Sequence, residues 1–351
     1  MKKVMLGLAV SMFLLPAYAM ADSVSPTSFS DTIAVGGTTT ITKTVTVSKE
    51  AGSYAPVDVF FLADTTGSMG GTINTVQTGA ASILAGTAGL GDVQYAVGEY
   101  EDWGSSYGYP SDKPYTLHQD FTSDVTAVQA GITKWDSPLG YGGDGPESQL
   151  YALEQAAETA SWRAGSTRIL VWFGDVYGHD PSGPSTEATA TAALVDKNIT
   201  VEAVSVNGSL GAQADRIAAA TGGDHYAGID VASIVDTIQD AIETVIHTYT
   251  SVGLDLSEVP AGLIASYDGA QTGTWTRDED RTFTFNVEIT GETAGVYDFN
   301  IYATVDRGRV ATEADRITVG AGAVPEPATM LLFGTGLVGL AGMGRRKATR
   351  K

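Results

Sequence analysis

The sequence predicts an α/β fold, a mostly parallel sheet with helices on both faces, inserted in a small β-sandwich that both flanks build. From residue 57 to residue 248, short apolar runs alternate with stretches of helical period, as when helices connect parallel strands. On either side, at residues 22–56 and 249–320, the pattern is that of strands with one buried face. Residues 22–56 are too few to form a domain, so we expect them to complete the sandwich. An independent N-terminal hairpin arm is the alternative.

The individual elements follow from these patterns. The predicted strands of the central segment are residues 57–63, 93–99, 167–173 and 200–205. The predicted helices are residues 72–84, 123–135, 146–162, 186–197, 213–220 and 231–248. Residues 38–47, 282–289 and 296–305 alternate strongly and are predicted strands of the sandwich.

Composition excludes several classes of site. The chain has 351 residues, enough for two domains, and no cysteine, so disulfides and thiolate metal sites are impossible. Its four histidines (His118, His179, His225 and His247) lie far apart and form no His-Glu-x-x-His pair. This distribution argues against a histidine-based zinc enzyme.

The first 21 residues have the features of a secretory signal peptide. Lys2 and Lys3 precede an apolar run at residues 4–15, and small residues follow at Ala17, Ala19 and Ala21. The chain is therefore expected to leave the cytoplasm through the Sec pathway.

The last 28 residues carry a second processing signal. Pro325, Glu326 and Pro327 precede an apolar stretch at residues 328–344 and a basic cluster that begins at Arg345. This arrangement resembles the PEP-CTERM sorting signal of Gram-negative bacteria. The resemblance implies transient membrane insertion of the anchor and cleavage near the tripeptide by an exosortase. A plain, retained membrane anchor is the alternative.

The region between the two ends is strongly acidic. Seven of the 20 basic residues and one of the 41 acidic residues lie in the ends, which leaves a net charge of −27 between them. Such a surface repels nucleic acid and anionic membranes, so no nucleic-acid partner is expected.

A set of oxygen-bearing side chains follows the first predicted strand of the central segment. Asp64, Thr66 and Ser68 recur at a spacing of two, so a loop can turn all three toward one point. Oxygen ligands suit Mg²⁺ or Ca²⁺, and hydroxyls are neutral, so an ion held here still attracts an anionic ligand from outside. The alternative is an Asp-initiated turn in which Thr66 and Ser68 cap the next helix.

The motif resembles the metal-ion-dependent adhesion site of von Willebrand factor A domains, whose fold is Rossmann-like. Further along, Asp144, Pro146 and Glu147 open a predicted helix, Trp162-Arg163 ends it, and an aliphatic strand leads to Asp175. This order is similar to the I-like domain of integrin β subunits. The resemblance implies a metal site formed by Asp64, Thr66, Ser68, Glu147 and Asp175 that holds Mg²⁺ or Ca²⁺, with Mn²⁺ as a further option.

The same resemblance implies a second metal site and a ligand loop. The second site would use Asp102, Asp144, the carbonyl of Pro146 and the far oxygen of Glu147. The family's Asn two residues before that Asp is Gly142 here, so one ligand is missing.

Residues 102–114 stand where the I-like domain carries its specificity loop. Its aromatic residues Trp103, Tyr107 and Tyr109 are candidate contacts for a partner. The alternative is that they pack back onto the domain.

These features favour an exported, surface-associated adhesion protein that is not an enzyme. We expect a divalent metal to capture an acidic group on a protein or extracellular-matrix ligand. One alternative is a structural component of the extracellular polysaccharide matrix, with a purely structural metal site. A metal-dependent hydrolase is disfavoured because no nucleophile and base set accompanies the ligands.

Overall fold

A computed structural model describes residues 22–49, 56–104, 106–136 and 142–320. The predicted signal peptide and the sorting segment, with Pro325, Glu326 and Pro327, lie outside the described residues. Within the described ranges, no helix combines the length and the apolar character needed to span a bilayer.

Strands and helices are numbered in chain order over these residues. The strands are β1 (Ser23–Ser25), β2 (Ser28–Ala34), β3 (Thr38–Val47), β4 (Pro56–Asp64), β5 (Asp92–Tyr100), β6 (Thr116–Thr122), β7 (Thr167–Val176), β8 (Ile199–Ser209), β9 (His225–Ile229), β10 (Thr248–Asp255), β11 (Leu263–Tyr267), β12 (Gln271–Thr276), β13 (Arg281–Gly291), β14 (Gly295–Val305) and β15 (Gly308–Gly320). The helices are α1 (Gly70–Thr87), α2 (Val125–Thr133), α3 (Gln149–Thr159), α4 (Glu187–Asp196), α5 (Gly211–Thr221) and α6 (Ile234–His247).

The central sheet has the strand order β6-β5-β4-β7-β8-β9 and is parallel except for β6. Helices α1, α2 and α6 bury one of its faces, and α3, α4 and α5 bury the other. Strand β4 is buried from Val57 to Asp64 because both of its faces are covered, which explains its largely apolar sequence. The predicted α/β class, with a mostly parallel sheet and helices, is confirmed.

The order of the central strands places three loops side by side. Strand β4 lies between β5 and β7, and all three are parallel. The segments that follow them therefore leave the same edge of the sheet. In open α/β sheets this edge, at the carboxyl ends of the strands, is where ligands bind.

Two further sheets are formed by strands from both sides of the central segment. Their orders are β1-β3-β13-β11 and β12-β10-β14-β15-β2. Strand β3 pairs with β13 from Thr38↔Thr290 to Val47↔Arg281, and β2 lies parallel to β15. One apolar cluster contains side chains of both sheets, such as Val45 and Ile317. We call these two sheets the flanking sheets.

One predicted helix begins later than its sequence suggests. Residues 146–162 have helical character, but α3 covers only Gln149–Thr159. Glu147 instead forms a parallel bridge with Gly178, in which its N–H donates to the carbonyl of Tyr177. The physical reason is that the loop after β7 offers backbone partners, so Glu147 pairs outside the helix.

Candidate metal centre

Asp64 ends β4 and begins the first loop of the site. Its Oδ1 accepts hydrogen bonds from the backbone N–H of Thr66 at 2.9 Å and from the Thr66 hydroxyl at 2.7 Å. The hydroxyl oxygens of Thr66 and Ser68 lie 3.4 Å apart. The Asp-initiated turn is thus present, but the Thr66 hydroxyl bonds to Asp64 and makes no capping bond to the helical turn that follows.

The second carboxylate oxygen of Asp64 has an unusual environment. Oδ2 is buried and has no hydrogen-bond partner. Burial raises the pKa of Asp64 to about 7, although the hydrogen bonds from Thr66 oppose this shift. A buried polar atom without a partner costs free energy, so a proton or a cation bound to this oxygen would stabilise the folded chain.

Glu147 brings a second orphaned oxygen to the same region. The residue is buried, and its Oε2 has no hydrogen-bond partner. Burial, followed by the charges of Asp64 and Asp102, raises the pKa of Glu147 to about 10. Gly142 makes this placement possible, because a Cβ there would lie only 2.8 Å from Oε1.

Asp175 near the end of β7 completes the predicted set. It is half-buried, and its charge helps to raise the pKa values of both Asp64 and Glu147. Gly208 packs against its backbone, since a Cβ there would meet the Asp175 carbonyl oxygen at 1.9 Å. Hydrogen bonds therefore connect Asp64, Thr66 and Ser68, whereas Glu147 and Asp175 join them through electrostatic proximity.

These residues fit a divalent cation. Two buried carboxylate oxygens lack partners, and the hydroxyls of Thr66 and Ser68 lie in the loop that Asp64 begins. All of these donors are oxygens, the ligands that Mg²⁺ and Ca²⁺ prefer. A cation here would offset the burial of the two carboxylates, which is the main cause of their raised pKa values, and would also reduce the repulsion from neighbouring acids.

A second cluster consists of Asp102, Asp144 and His179, whose ligand atoms lie within 4.8 Å of one another and could hold a metal ion. Asp102 is buried and accepts hydrogen bonds from the N–H groups of Trp103 and Gly143. His179 Nε2 lies 3.0 Å from Asp144 Oδ1. The structure thus brings together Asp102 and Asp144 of the predicted second site, with Pro146 half-buried in the same loop.

Sequence reasoning did not identify His179 as part of this cluster. Its position shortly after β7, at the edge where Asp64 and Asp102 also lie, is the signal that could have done so.

The aromatic residues of the predicted ligand loop differ in their surroundings. Trp103 is half-buried and contacts the ring of Tyr151, with centroids 4.9 Å apart. Tyr107 stacks on His179 at 3.8 Å, yet 38% of its surface is exposed, and Tyr109 is 53% exposed. Trp103 therefore packs against the domain, whereas Tyr107 and Tyr109 are exposed, and Tyr107 lies against His179 of the second cluster.

The comparisons with known proteins concern the sorting segment and the architecture. The PEP-CTERM protein-sorting motif matches residues 323–347, which confirms the predicted signal. The motif indicates an exported protein that is sorted to the cell surface, and it implies exosortase processing at the C-terminal end. No curated protein matches the chain in sequence.

Several solved structures are similar to the chain at low identity. A von Willebrand factor type A protein from Catenulispora acidiphila is 13% identical, with a TM-score of 0.43, and the match covers 91% of this chain and 77% of that one. The pilus adhesin SpaC from Lactobacillus rhamnosus GG is 15% identical, with a TM-score of 0.43, and 81% of this chain and 45% of that one are covered.

Proximal thread matrix protein 1 from the mussel byssus is 14% identical, with a TM-score of 0.43 and coverage of 58% and 48%. The chain thus spans about half the length of the last two structures.

Proposed function

We propose that this chain is a surface adhesion or binding protein that captures an acidic group on a protein or matrix ligand through a divalent cation. The observation that carries the proposal is the pair of buried, unpartnered oxygens, Asp64 Oδ2 and Glu147 Oε2, together with the hydroxyls of Thr66 and Ser68 in the loop that Asp64 begins. In this proposal Asp64, Thr66 and Ser68 hold Mg²⁺, Ca²⁺ or Mn²⁺, and Glu147 and Asp175 complete the site.

The proposed capture step follows from charge. Thr66 and Ser68 are neutral and do not offset the charge of the ion on their side, so the ion keeps a positive field at its open position. Ser68 is exposed and marks the side from which a partner can approach. A carboxylate of the partner would compete with Glu147 for the ion, and this competition would set the affinity.

Partner selection is assigned to the exposed aromatic residues near the second cluster. Tyr107 and Tyr109 offer accessible rings, and aromatic side chains commonly anchor protein interfaces. Asp102, Asp144 and His179 would hold a second ion that fixes this loop through the stack of Tyr107 on His179.

We assign to the remaining parts of the chain the role of presenting the metal site at the cell surface. We propose that residues 57–248 form a von Willebrand factor A domain inserted in a β-sandwich made of the flanking sheets, which acts as a spacer. Export through the Sec pathway of a Gram-negative bacterium would precede sorting. The proposed function includes no catalytic step.

Binding to immobilised extracellular material tests the proposal. We expect EDTA and Thr66→Ala each to abolish binding. EDTA removes the ion, and the variant lacks one of the side chains that hold it. Thr78→Ala is the matched control, since Thr78 is an exposed threonine on α1 whose hydroxyl donates only to the carbonyl of Asn74. Circular dichroism verifies folding. Full binding by Thr66→Ala, or in EDTA, would contradict the proposal and favour a structural metal in a matrix component.

A further inference from the structure

Three charged residues occupy core positions of the flanking sheets. On β3, Ile41, Lys43, Val45 and Val47 point to the buried face, and Lys43 is fully buried among them. On β15, the buried face continues from Glu313 and Asp315 to Ile317 and Val319. Alternation assigns apolar residues to such positions, so a lysine and two acids there require an explanation.

The three side chains meet across the two sheets. Lys43 Nζ donates a hydrogen bond to Glu313 Oε2 and lies 3.2 Å from Asp315 Oδ2. Apolar neighbours shield the group, because Phe285, Phe299 and Ile301 stand opposite Lys43, Asp315 and Glu313 in their respective strand pairs. All three apolar residues are buried. The amine and the two carboxyls are therefore in direct contact in a buried, largely apolar core.

An ion pair alone does not balance the charges of these three side chains or satisfy all of their hydrogen-bonding atoms. One ammonium faces two carboxyls, and the remaining oxygens, Glu313 Oε1 and Asp315 Oδ1, are buried without hydrogen-bond partners. Burial raises the pKa of Glu313 to about 7, so this carboxyl can hold or release a proton near neutral pH. The arrangement contains a nucleophile, an electrophilic carboxyl and a proton carrier.

We infer that Lys43 and Asp315 form an intramolecular amide bond between the two flanking sheets, with Glu313 as the proton carrier. A proton first passes from the Lys43 ammonium to the Asp315 carboxylate, and the freed lone pair of Nζ then attacks Cγ of the Asp315 carboxyl. Glu313 takes a proton from the nitrogen and returns it to the departing hydroxyl. The Cγ–O bond breaks, an N–Cγ bond forms, and one water molecule leaves. No oxidant or further reactant is needed.

The environment favours condensation over its reversal. In a core lined by Phe285 and Ile301, water is excluded, so the released molecule is not held beside the new amide. The product also replaces three buried ionisable groups with one neutral amide and one carboxyl. This change removes the cost of holding unpaired charge in an apolar medium.

The bond would join distant parts of the chain. Lys43 and Asp315 are 272 residues apart, so the bond closes a loop around the whole central sheet. The chain has no cysteine, and this amide would supply the kind of cross-link that a disulfide gives elsewhere. Unlike a disulfide, it would resist reduction.

Peptide mapping of the full chain, purified after folding at pH 7, tests the inference. Trypsin should fail to cleave after Lys43 and should release the segment 310–316 joined to the peptide that contains Lys43. The joined product should be lighter than the sum of its two peptides by one water molecule, with fragmentation placing the bond at Asp315. Complete cleavage at Lys43 and a free 310–316 peptide would overturn the inference. A bond to Glu313 would overturn the assigned roles.

Two variants separate the reaction from folding. Glu313→Gln keeps the size of the side chain but cannot carry the proton, so the joined peptide should be lost while circular dichroism remains native. Glu288→Gln is the matched control on an exposed face of β13, and it should yield the joined peptide as the unaltered chain does. Equal yields from the two variants would exclude Glu313 as the proton carrier.

Discussion

Replacing Glu147 with glutamine should have opposite effects with and without a divalent cation. In EDTA at pH 7 we expect Glu147→Gln to stabilise the folded chain. Burial and the neighbouring charges raise the pKa of Glu147 from an ordinary 4.5 to about 10. The folded carboxyl is therefore protonated at pH 7, whereas the unfolded one is ionised. Glutamine has nearly the same shape and needs no proton.

The stabilisation expected for Glu147→Gln equals the free energy needed to protonate the Glu147 carboxyl on folding at pH 7. The gap between pH 7 and the ordinary pKa of 4.5 is converted at about 1.4 kcal/mol per pH unit, which gives a cost of about 3 kcal/mol. For a carboxyl whose folded pKa is raised, the free energy of unfolding falls as pH rises from about 4.5 toward 10. The advantage of the variant should therefore disappear below pH 4.5.

Urea titrations followed by far-UV circular dichroism measure this difference, because the described helices, α1 to α6, all pack on the central sheet. A saturating cation should reverse the order. The unaltered chain gains about 4.1 kcal/mol at roughly a thousandfold excess over Kd, which exceeds its deficit of about 3 kcal/mol, while the variant lacks a ligand. Glu243→Gln, an exposed position on α6, is the control and should stay within about 0.5 kcal/mol. A variant that is less stable than the unaltered chain in EDTA at pH 7 would refute the reasoning.

Three further outcomes are expected. Mg²⁺, Mn²⁺ or Ca²⁺ should raise the melting temperature, and Asp64→Ala should remove most of that shift in a thermal scan; an identical shift in the variant would reject the site. Burial raises the pKa of Glu202 to about 8, so the free energy of unfolding should fall between pH 4.5 and about 8, and Glu202→Gln should flatten this profile in urea titrations. Identical profiles would contradict the assigned burial. The intact mass of protein from its native host should lack residues 1–21 and the segment after the Pro325–Pro327 tripeptide; retention of residues 331–344 would indicate a plain anchor.

The central sheet could be predicted where burial determines the sequence. Strands β4, β5, β7 and β8 are covered on both faces, so each appears as an apolar run. Strand β6 escaped prediction because all seven of its residues are half-buried at the sheet edge and many are polar. Edge strands need less apolar surface, so periodicity carries little information about them.

The candidate site could be predicted only in its local part. Asp64, Thr66 and Ser68 are close in sequence, so their grouping follows from one turn. The approach of His179 to Asp144 depends on how the loop after β7 and the loop before α3 fold against each other. The bridge between Glu147 and Gly178, which delays the start of α3, likewise depends on contact between segments that are distant in sequence.

The contact among the three charged residues of the flanking sheets could not be predicted from the sequence. Lys43 lies in a strand whose regular alternation places it on the same face as Ile41, Val45 and Val47, so the local pattern predicts an inward lysine but does not show its partners. Its burial depends on Glu313 and Asp315, which stand 270 and 272 residues later. Such a pairing becomes visible only when both sheets are in place.

Strand β15 contacts the central sheet, carries the two buried acids and leads to the sorting motif. Near its start, the N–H of Arg309 donates to the carbonyl of Gly165 at 2.7 Å, which ties the strand to the segment before β7 of the central sheet. Its middle carries Glu313 and Asp315, and it ends at Gly320, shortly before the sorting motif at residues 323–347. A pull applied at the C-terminal end of the processed chain would therefore reach β15 first. With an amide at Asp315, that force would pass through Lys43 into the opposite sheet, because a covalent bond does not yield where the hydrogen bonds to β14 and β2 would. The central sheet, whose first strand follows β3, would then remain folded while its ligand is held.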